Sequence, residues 1–245
     1  MSDKAVATVL LSCQAWRERL PALRPVLTAR ERDDCDRVRL GSVREQKLLA
    51  RAALRLLGGA LCGVSPRDLN IAPDANGKPQ IAGQRLTANY AHAGDCVALA
   101  LAGGRAVGVD IEAVDRKVAH LDLARSQFAL AEFEALAALP EADRARSFTA
   151  CWTRKEAFIK ALGLGLKRPL SSFSVSVPAS EPPRLVWSAT APEEPDAWAM
   201  RTLACPDGYF ATLAYARAGD PAVVSEHIWS PETAPETLAA AIAAM

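Results

Sequence analysis

The sequence lacks the patterns that mark several broad classes of protein. Its six cysteines are scattered, with neither a C-x-x-C pair nor a Cys/His cluster of zinc-like spacing, so free thiols in a reducing compartment are the simplest interpretation. No apolar run approaches the ~20 residues that a membrane span needs. The apolar run at residues 5–11 is interrupted too soon for a signal peptide and predicts a strand. We therefore expect a cytoplasmic protein with no membrane partner.

A strong charge of either sign is also lacking. Lys and Arg number 29 against 28 Asp and Glu, for a net charge of +1, so no general attraction to nucleic acid is expected. An anionic ligand must then be held by specific residues. The chain has 245 residues, half of them hydrophobic, and can bury a sizeable core as one large domain or two small ones.

Residues 42–57 have the pattern of an amphipathic helix. The sequence S-V-R-E at 42–45 is a capping-box pattern, and apolar residues then recur at helical spacing up to Gly58 and Gly59. The other face is basic, which fits either a solvated surface or contact with an anion. Its members are Arg44, Lys47, Arg51 and Arg55.

The following segments alternate between strand and helix patterns without a regular order. Two short apolar runs at 96–101 and 106–111, separated by Gly103 and Gly104, predict a buried hairpin. Helices are then predicted around 130–139 and over 142–162, the second ended by Gly163. Further strands are predicted at 173–177, 185–187, 198–203 and 209–215. This order predicts an α+β fold rather than a doubly wound sheet.

The apolar run at 107–112 ends with two carboxylates, Asp110 and Glu112. In a strand, side chains at i and i+2 share one face about 7 Å apart, while Ile111 points the other way. Two acids so placed repel each other unless protons or a cation lie between them. Taken alone, the run fits either a solvated strand end or a divalent-metal site.

A second group of chemically active residues lies on the predicted helix at 142–162. Trp152, Glu156 and Lys160 fall at i, i+4 and i+8, on one stripe. An ordinary surface Glu–Lys pair is one interpretation, but large apolar residues bracket the pair and indicate partial burial. Mg²⁺ prefers a few carboxylates and completes its shell with water and phosphate oxygens. We therefore predict one metal site for a phosphate-bearing substrate, formed by Asp110, Glu112 and Glu156, with Lys160 beside it.

Together these two motifs resemble the 4′-phosphopantetheinyl transferases. The motifs are G-V-D-I-E at 108–112 and, some forty residues later, W-T-R-K-E-A-F-I-K at 152–160, continued as A-L-G-L-G-L to 166. The chain length and the continuation P-L-S-S-F-S-V at 169–175 are similar to the surfactin-synthetase-activating (Sfp) type. The resemblance spans roughly residues 27–177.

The resemblance implies a pseudo-twofold α+β monomer of two similar halves, 1–112 and 113–245, with the active site in the cleft between them. The implied reaction moves 4′-phosphopantetheine from coenzyme A to a serine of an apo acyl or peptidyl carrier protein and releases adenosine 3′,5′-bisphosphate. Such carriers serve fatty-acid, polyketide and nonribosomal-peptide biosynthesis. No nucleic acid is expected as a partner.

By motif matching, the resemblance also implies roles for single residues. Asp110, Glu112 and Glu156 would coordinate Mg²⁺, or Mn²⁺ in its place, together with the pyrophosphate of coenzyme A. Glu156 is the candidate general base for the serine hydroxyl, with a water molecule as the alternative. Lys160 would contact the phosphates.

Two further segments match nucleotide-binding parts of the family. G-K-P at 77–79 matches the loop whose lysine meets coenzyme A, and N-Y-A-H-A at 89–93 matches N-x-S-H-S, whose histidine approaches the 3′-phosphate. The implied contacts come from Lys78, Pro79, Asn89, Tyr90, Ala91 and His92. Basic residues of the first helix region are further candidates, namely Arg44, Lys47 and Arg51.

Ala91 and Ala93 stand where the family has serines. Two hydroxyl donors are therefore missing, each worth ~0.5–1.5 kcal/mol net, which bears on coenzyme A affinity rather than on the type of reaction. Two alternatives remain open: a carrier-binding module that has lost turnover, and another Mg²⁺-dependent nucleotidyl or phosphoryl transferase. The intact acids and lysine argue against the first, and the sequence has neither a P-loop nor a kinase motif set.

Overall fold

The computed structural model describes residues 1–115, 117–217, 219 and 222–244. Its strands are β1 (Ala5–Ser12), β2 (Ile71–Pro73), β3 (Pro79–Ile81), β4 (Leu86–Ala93), β5 (Cys96–Gly103), β6 (Val107–Ala113), β7 (Phe173–Val175), β8 (Leu185–Ser188), β9 (Trp198–Thr202), β10 (Tyr209–Ala216) and β11 (Val223–Ile228). Its α-helices are α1 (Cys13–Trp16), α2 (Leu20–Leu23), α3 (Ala29–Asp36), α4 (Gly41–Cys62), α5 (His120–Gln127), α6 (Leu130–Ala137), α7 (Glu141–Leu162), α8 (Glu194–Ala197) and α9 (Pro235–Ala243). This mixture confirms the predicted α+β class.

The chain divides into two compact units, one of Met1–Gly104 with Ala222–Met245 and one of Arg105–Pro221. This division differs from the predicted halves 1–112 and 113–245. The end of the chain returns to the first unit because β11 pairs in parallel with β1 and α9 packs on α4. β6 belongs to the second unit because it pairs with β10. The pseudo-twofold relation stays a prediction.

The first unit is a six-stranded sheet with helices packed on it. The strand order is β11-β1-β5-β4-β3-β2, antiparallel except for the β1–β11 pair. α4 packs against β4 and β5 and closes an apolar core. In that core the rings of Trp16 and Trp229 meet edge to face, 5.1 Å apart. β11 and α9 were not predicted from the sequence.

Both ends of α4 differ from the prediction. Its N-cap is Leu40, which offers no side-chain cap, so the capping box predicted at 42–45 is wrong. The helix also continues through Gly59, where an end was predicted. A Cβ on Gly59 would lie 2.9 Å from the Val64 carbonyl oxygen, so this glycine admits the loop that follows. The helix ends before Gly63, whose φ of 68° is left-handed.

The second unit contains a three-stranded sheet, β6-β10-β9, and the separate pair β7-β8. α7 packs across β6 and β10. The predicted helices α6 and α7 and the predicted strands β7 to β10 are confirmed, with ends shifted by a residue or two. The predicted hairpin of β5 with β6 is wrong, because each strand pairs with partners distant in sequence: β5 with β1 and β4, and β6 with β10.

Two predicted features of the whole chain can be checked directly. All six cysteines are free thiols, as the scattered spacing predicted. Within the residues that the structure describes, every helix is too short or too polar to span a lipid bilayer.

Candidate active site

β6 presents two carboxylates on the face that α7 covers. Asp110 is 3% exposed and Glu112 is partly exposed, while Val109 and Ile111 point to the other face and are buried. Asp110 lies directly opposite Thr212 of β10. The run is apolar up to the acids because both faces of this strand are covered.

Gly108 lets α7 approach this strand closely. A Cβ at this position would lie 2.2 Å from the carbonyl oxygen of Ala157 and 2.3 Å from the amide nitrogen of Ala161, so only hydrogen fits between strand and helix. Gly108 lies on the same face as Asp110, because positions two apart in a strand share a face. The glycine of the motif thus brings α7 against the face that presents the acids.

One stripe of α7 faces these acids. Trp152, Glu156 and Lys160 are partly exposed, whereas most residues between them are buried. Lys160 Nζ donates to Asp110 Oδ1 at 2.6 Å. Asp110 Oδ2 is buried and accepts no hydrogen bond from the described residues. The site therefore contains one buried carboxylate oxygen that lacks a protein donor.

The electrostatics show that the three predicted acids share one environment. Burial raises the pKa of Asp110, and the Lys160 ammonium only partly opposes it. Burial, then the negative charge of Asp110, raises the pKa of Glu112 to about 7 and also raises the pKa of Glu156. Burial works to lower the pKa of Lys160, but the surrounding carboxylates outweigh it and the pKa is raised. The cluster therefore favours bound positive charge.

These carboxylates do not form a closed metal cage. Among the residues that the structure describes, no three His, Cys, Asp or Glu side chains are grouped so that they could hold a metal ion. The chemistry still fits a hard cation, because the site offers carboxylate oxygens, one of them buried without a donor, and repulsion that a divalent charge would relieve. Metal binding by Asp110, Glu112 and Glu156 stays a prediction.

Other charged residues of the 152–160 motif are buried and hold the fold together. Lys155 is 0% exposed and donates to both carboxylate oxygens of Glu132 at 2.7 and 2.6 Å. Arg154 is also 0% exposed and donates to three backbone carbonyls between residues 176 and 181. No role was predicted for these two residues, and their burial shows that part of the motif is structural.

An apolar cavity of about 360 Å³ opens beside Glu112. The rings of Phe148 and Trp152 stack 5.9 Å apart along it, and the His120 ring, which also lines it, lies 4.9 Å from that of Phe148. The sequence assigned His120 no role because a histidine outside any motif gives no signal. The cavity places an apolar surface next to the carboxylate cluster.

The segments predicted to contact a nucleotide lie in the first unit. Lys78 follows a tight turn, in which the Asp74 carboxylate accepts from the backbone N–H groups of Asn76 and Lys78. Burial lowers the pKa of Lys78 to about 8. Pro79 and Tyr90 line one cavity of about 160 Å³. The structure therefore brings part of both predicted segments together.

Along β4 the predicted residues alternate between two faces. Tyr90 packs against the core under α4, and His92 lies on the same face. Asn89 and Ala91 lie on the opposite face and are 6% and 5% exposed. The segment therefore presents its side chains in two directions, which the motif alone did not reveal.

The basic residues of α4 have protein partners. Arg44 donates to the Val38 carbonyl at 2.8 Å, and Lys47 and Arg51 donate to carbonyl oxygens of α3 at 3.1 and 2.9 Å. Arg51 also lines the cavity of Pro79 and Tyr90.

Arg55 does not belong to a solvated basic face. It is 2% exposed and donates to the Glu31 carboxylate at 2.7 Å. The prediction that Arg55 lies on a solvated face is wrong, because α3 packs against α4 and was not predicted from the sequence.

Comparison with known proteins adds independent evidence. Residues 106–214 match the family model described as the 4′-phosphopantetheinyl transferase superfamily. The 4′-phosphopantetheinyl transferase HetI of a Nostoc species is 32% identical over 175 residues, which are 69% of this chain and 70% of that protein. A putative 4′-phosphopantetheinyl transferase of a Synechocystis species is 29% identical over 162 residues, 65% and 66% of the two chains. The chain thus spans about two thirds of the length of these relatives.

Two further matches cover less of the chain. The 4′-phosphopantetheinyl transferase Sfp of Bacillus subtilis is 30% identical over 145 residues, 59% of each chain. The solved holo-[acyl-carrier-protein] synthase of Thermotoga maritima covers 45% of this chain and 62% of that one at 19% identity, with a TM-score of 0.35, too low to define a shared fold. With the coverage and identity of the Nostoc relative, the resemblance seen in the motifs is confirmed: the chain belongs to the 4′-phosphopantetheinyl transferase superfamily of enzymes.

Proposed function

We propose that the chain transfers 4′-phosphopantetheine from coenzyme A to a serine of an apo carrier protein and releases adenosine 3′,5′-bisphosphate. The observation that carries this proposal is the ion pair of Asp110 with Lys160, formed where α7 packs on β6, with Glu112 and Glu156 close enough for their charges to interact with that pair. Reactions at phosphorus are catalysed mainly by positioning and by neutralising charge, which such a cluster can provide. Membership of the superfamily supports the same class of reaction.

We assign Asp110, Glu112 and Glu156 as the residues that would hold Mg²⁺, or Mn²⁺ in its place. The bound ion would neutralise charge on the pyrophosphate of coenzyme A. Lys160, which pairs with Asp110 at 2.6 Å, lies close enough to these acids to neutralise further phosphate charge.

Glu156 is assigned as the general base for the serine hydroxyl. As the serine oxygen bonds to phosphorus, its proton passes to the Glu156 carboxylate, and the bond from that phosphorus to the bridging oxygen breaks, so that the oxygen leaves with the nucleotide. In the metal-free site, burial and the charge of Asp110 raise the pKa of Glu156, so the protein surroundings favour proton uptake by this carboxylate.

The nucleotide part of coenzyme A is assigned to the first unit. Arg51 lines one cavity with Pro79 and Tyr90, which supports contact with the nucleotide there. The remaining contacts are carried over from the resemblance. Its motifs supply Lys78, Asn89, Ala91 and His92, and the basic first helix region supplies Arg44 and Lys47 as further candidates.

Within the superfamily we assign the surfactin-synthetase-activating type, which the motif continuation at 169–175 and the match to the Bacillus subtilis protein support. The proposed partners are acyl or peptidyl carrier domains of fatty-acid, polyketide or nonribosomal-peptide synthesis. A monomeric state and a cytoplasmic location complete the proposal.

Intact-protein mass spectrometry tests the reaction. The purified chain is incubated with coenzyme A, Mg²⁺ and a panel of apo carriers from the three pathways, and at least one carrier should gain the mass of phosphopantetheine. No gain with any carrier, in a protein that still binds them, would instead favour a carrier-binding module without turnover.

The assignment of Glu156 is tested by Glu156→Gln. Turnover should be abolished while the unfolding transition stays close to that of the wild type, because Glu156 is partly exposed at the surface of α7. Glu134→Gln is the matched control, since it makes the same chemical change on an exposed position of α6. Near-normal turnover of Glu156→Gln would remove this residue from the site.

A further inference from the structure

We propose that Thr153 and Thr212 are positioning residues that hold Glu156 in place relative to Asp110, an inference that rests on the proposed function. Both threonines are 0% exposed, and their Oγ1 atoms lie 3.0 Å apart. Thr153 Oγ1 also donates to the Ala150 carbonyl at 3.1 Å. Since a hydroxyl has one proton, Thr212 is the donor in the bond between them.

The pair joins two positions that adjoin the acids. Thr212 of β10 lies directly opposite Asp110 of β6, and side chains opposite each other in a sheet share a face. Thr153 precedes Glu156 by three residues, about one turn of α7. The bond therefore links the β10 residue opposite Asp110 to the turn of α7 that precedes Glu156.

The remaining contacts between this part of α7 and β6 include small residues. Gly108 meets the helix at Ala157 and Ala161, and contacts of this kind are close but not directional. A hydrogen bond is directional. The Lys160–Asp110 bond is directional, but it is made at the end of a long lysine side chain one turn beyond Glu156. We infer that the threonine pair, whose short side chains bond α7 to the sheet one turn before Glu156, sets the direction in which Glu156 points relative to Asp110.

A cycle of isosteric variants separates positioning from stability. Thr153→Val leaves the buried Thr212 hydroxyl without its partner, so it should be the least stable single variant. Thr212→Val leaves Thr153 bonded to Ala150 and should cost less. The double variant replaces both hydroxyls by methyl groups and should recover much of the stability lost in Thr153→Val.

Activity should not follow that pattern. All three valine variants lose the bond between the two hydroxyls. The value of kcat and the Mn²⁺ affinity, measured by electron paramagnetic resonance, should therefore each fall roughly 10- to 100-fold. Losses of this size are typical when a residue that hydrogen-bonds to a metal ligand, and so orients it, is removed. The double variant should be no worse than the single ones, and KM for coenzyme A should change little. Thr212→Ser, which keeps the hydroxyl, should restore both readouts.

The matched control is Thr8→Val in the first unit, where a buried threonine donates to the Ser225 carbonyl at 3.3 Å between β1 and β11. It should lose stability without losing kcat or Mn²⁺ affinity. Three results would overturn the positioning role. The first is a double variant whose kcat and Mn²⁺ affinity recover together with its stability, and the second is a double variant whose losses of kcat and Mn²⁺ affinity are the product of those of the single variants. The third is a Thr8→Val protein that loses as much kcat and Mn²⁺ affinity as the variants at Thr153 and Thr212.

Failure of the proposed function gives a different result. If the wild type binds Mn²⁺ but transfers nothing to any carrier, the proposed function is refuted. The Mn²⁺ affinities of the valine variants then decide the positioning role by themselves. If the wild type neither binds Mn²⁺ nor transfers, both are refuted.

Discussion

Gly108→Ala should force α7 away from β6 and disable the candidate site. An alanine Cβ would stand 2.2 Å from the Ala157 carbonyl oxygen and 2.3 Å from the Ala161 amide nitrogen, whereas favourable contact needs roughly 3.5 Å, so about 1 Å is missing. Both obstacles are backbone atoms in the last two turns of α7. No side-chain rotation can therefore relieve the clash, and the helix or the strand must move.

Two costs follow from that displacement. Overpacking of a filled core costs about 1–3 kcal/mol of the free energy of unfolding. If α7 moves by about 1 Å, Glu156 and Lys160 move with it, and a misplacement of that size can cost on the order of 100-fold in rate. We expect the loss of turnover to exceed what the unfolded fraction of the variant explains.

Urea unfolding and transfer kinetics on the same preparation measure both costs. Gly41→Ala is the control, because a Cβ at this first residue of α4 meets no atom within 4 Å, and it should leave stability and turnover near those of the wild type. A Gly108→Ala protein with wild-type stability and rate would refute the close approach of α7 to β6.

Four further variants test separate parts of the structure. Burial and neighbouring carboxylates raise the pKa of Glu112 from 4.5 to about 7, so the folded state binds this proton more tightly than the unfolded state. The free energy of unfolding of the metal-free protein should therefore fall as the pH rises from 4.5 to about 7. Glu112→Gln should flatten that slope in urea unfolding, and an unchanged slope contradicts the assignment. Lys155→Met leaves the buried Glu132 carboxylate unpaired and should cost about 3–5 kcal/mol of unfolding free energy; a denaturation curve close to that of the wild type would argue against burial of this pair. Ala93→Ser, at a partly exposed position, should tighten coenzyme A binding in calorimetry by about 0.5–1.5 kcal/mol. Ala91→Ser should not tighten it, because this position is only 5% exposed. Equal affinity of Ala93→Ser and the wild type for coenzyme A would contradict the expected contact.

Local periodicity predicted the parts of the fold that bear the candidate site. Alternation along 107–112 placed Asp110 and Glu112 on one face of a strand, as β6 has them. Four-residue spacing placed Glu156 and Lys160 on one partly exposed stripe of α7. Both patterns depend on the geometry of a single element, so they can be read from the sequence.

Pairings between distant segments could not be predicted in this way. Gly103 and Gly104 between two apolar runs have the composition of a hairpin turn, yet here the chain passes from one unit to the other at this point. The parallel pairing of β11 with β1 joins segments more than two hundred residues apart, and no local pattern specifies it. The units divide after Gly104 rather than after residue 112, and this division depends on the same pairings between distant segments.

The burial of Arg154 and Lys155 explains why the motif at 152–160 is longer than the site. These side chains are as strongly charged as Lys160, but they are 0% exposed because their partners, the carbonyls of 176–181 and the Glu132 carboxylate, lie on other elements. A buried charge is tolerated only where such partners satisfy it, and spacing along one helix contains no information about them. Two lysines five positions apart therefore differ in their distant partners: Lys155 pairs inside the core, whereas Lys160 pairs with an acid of the candidate site.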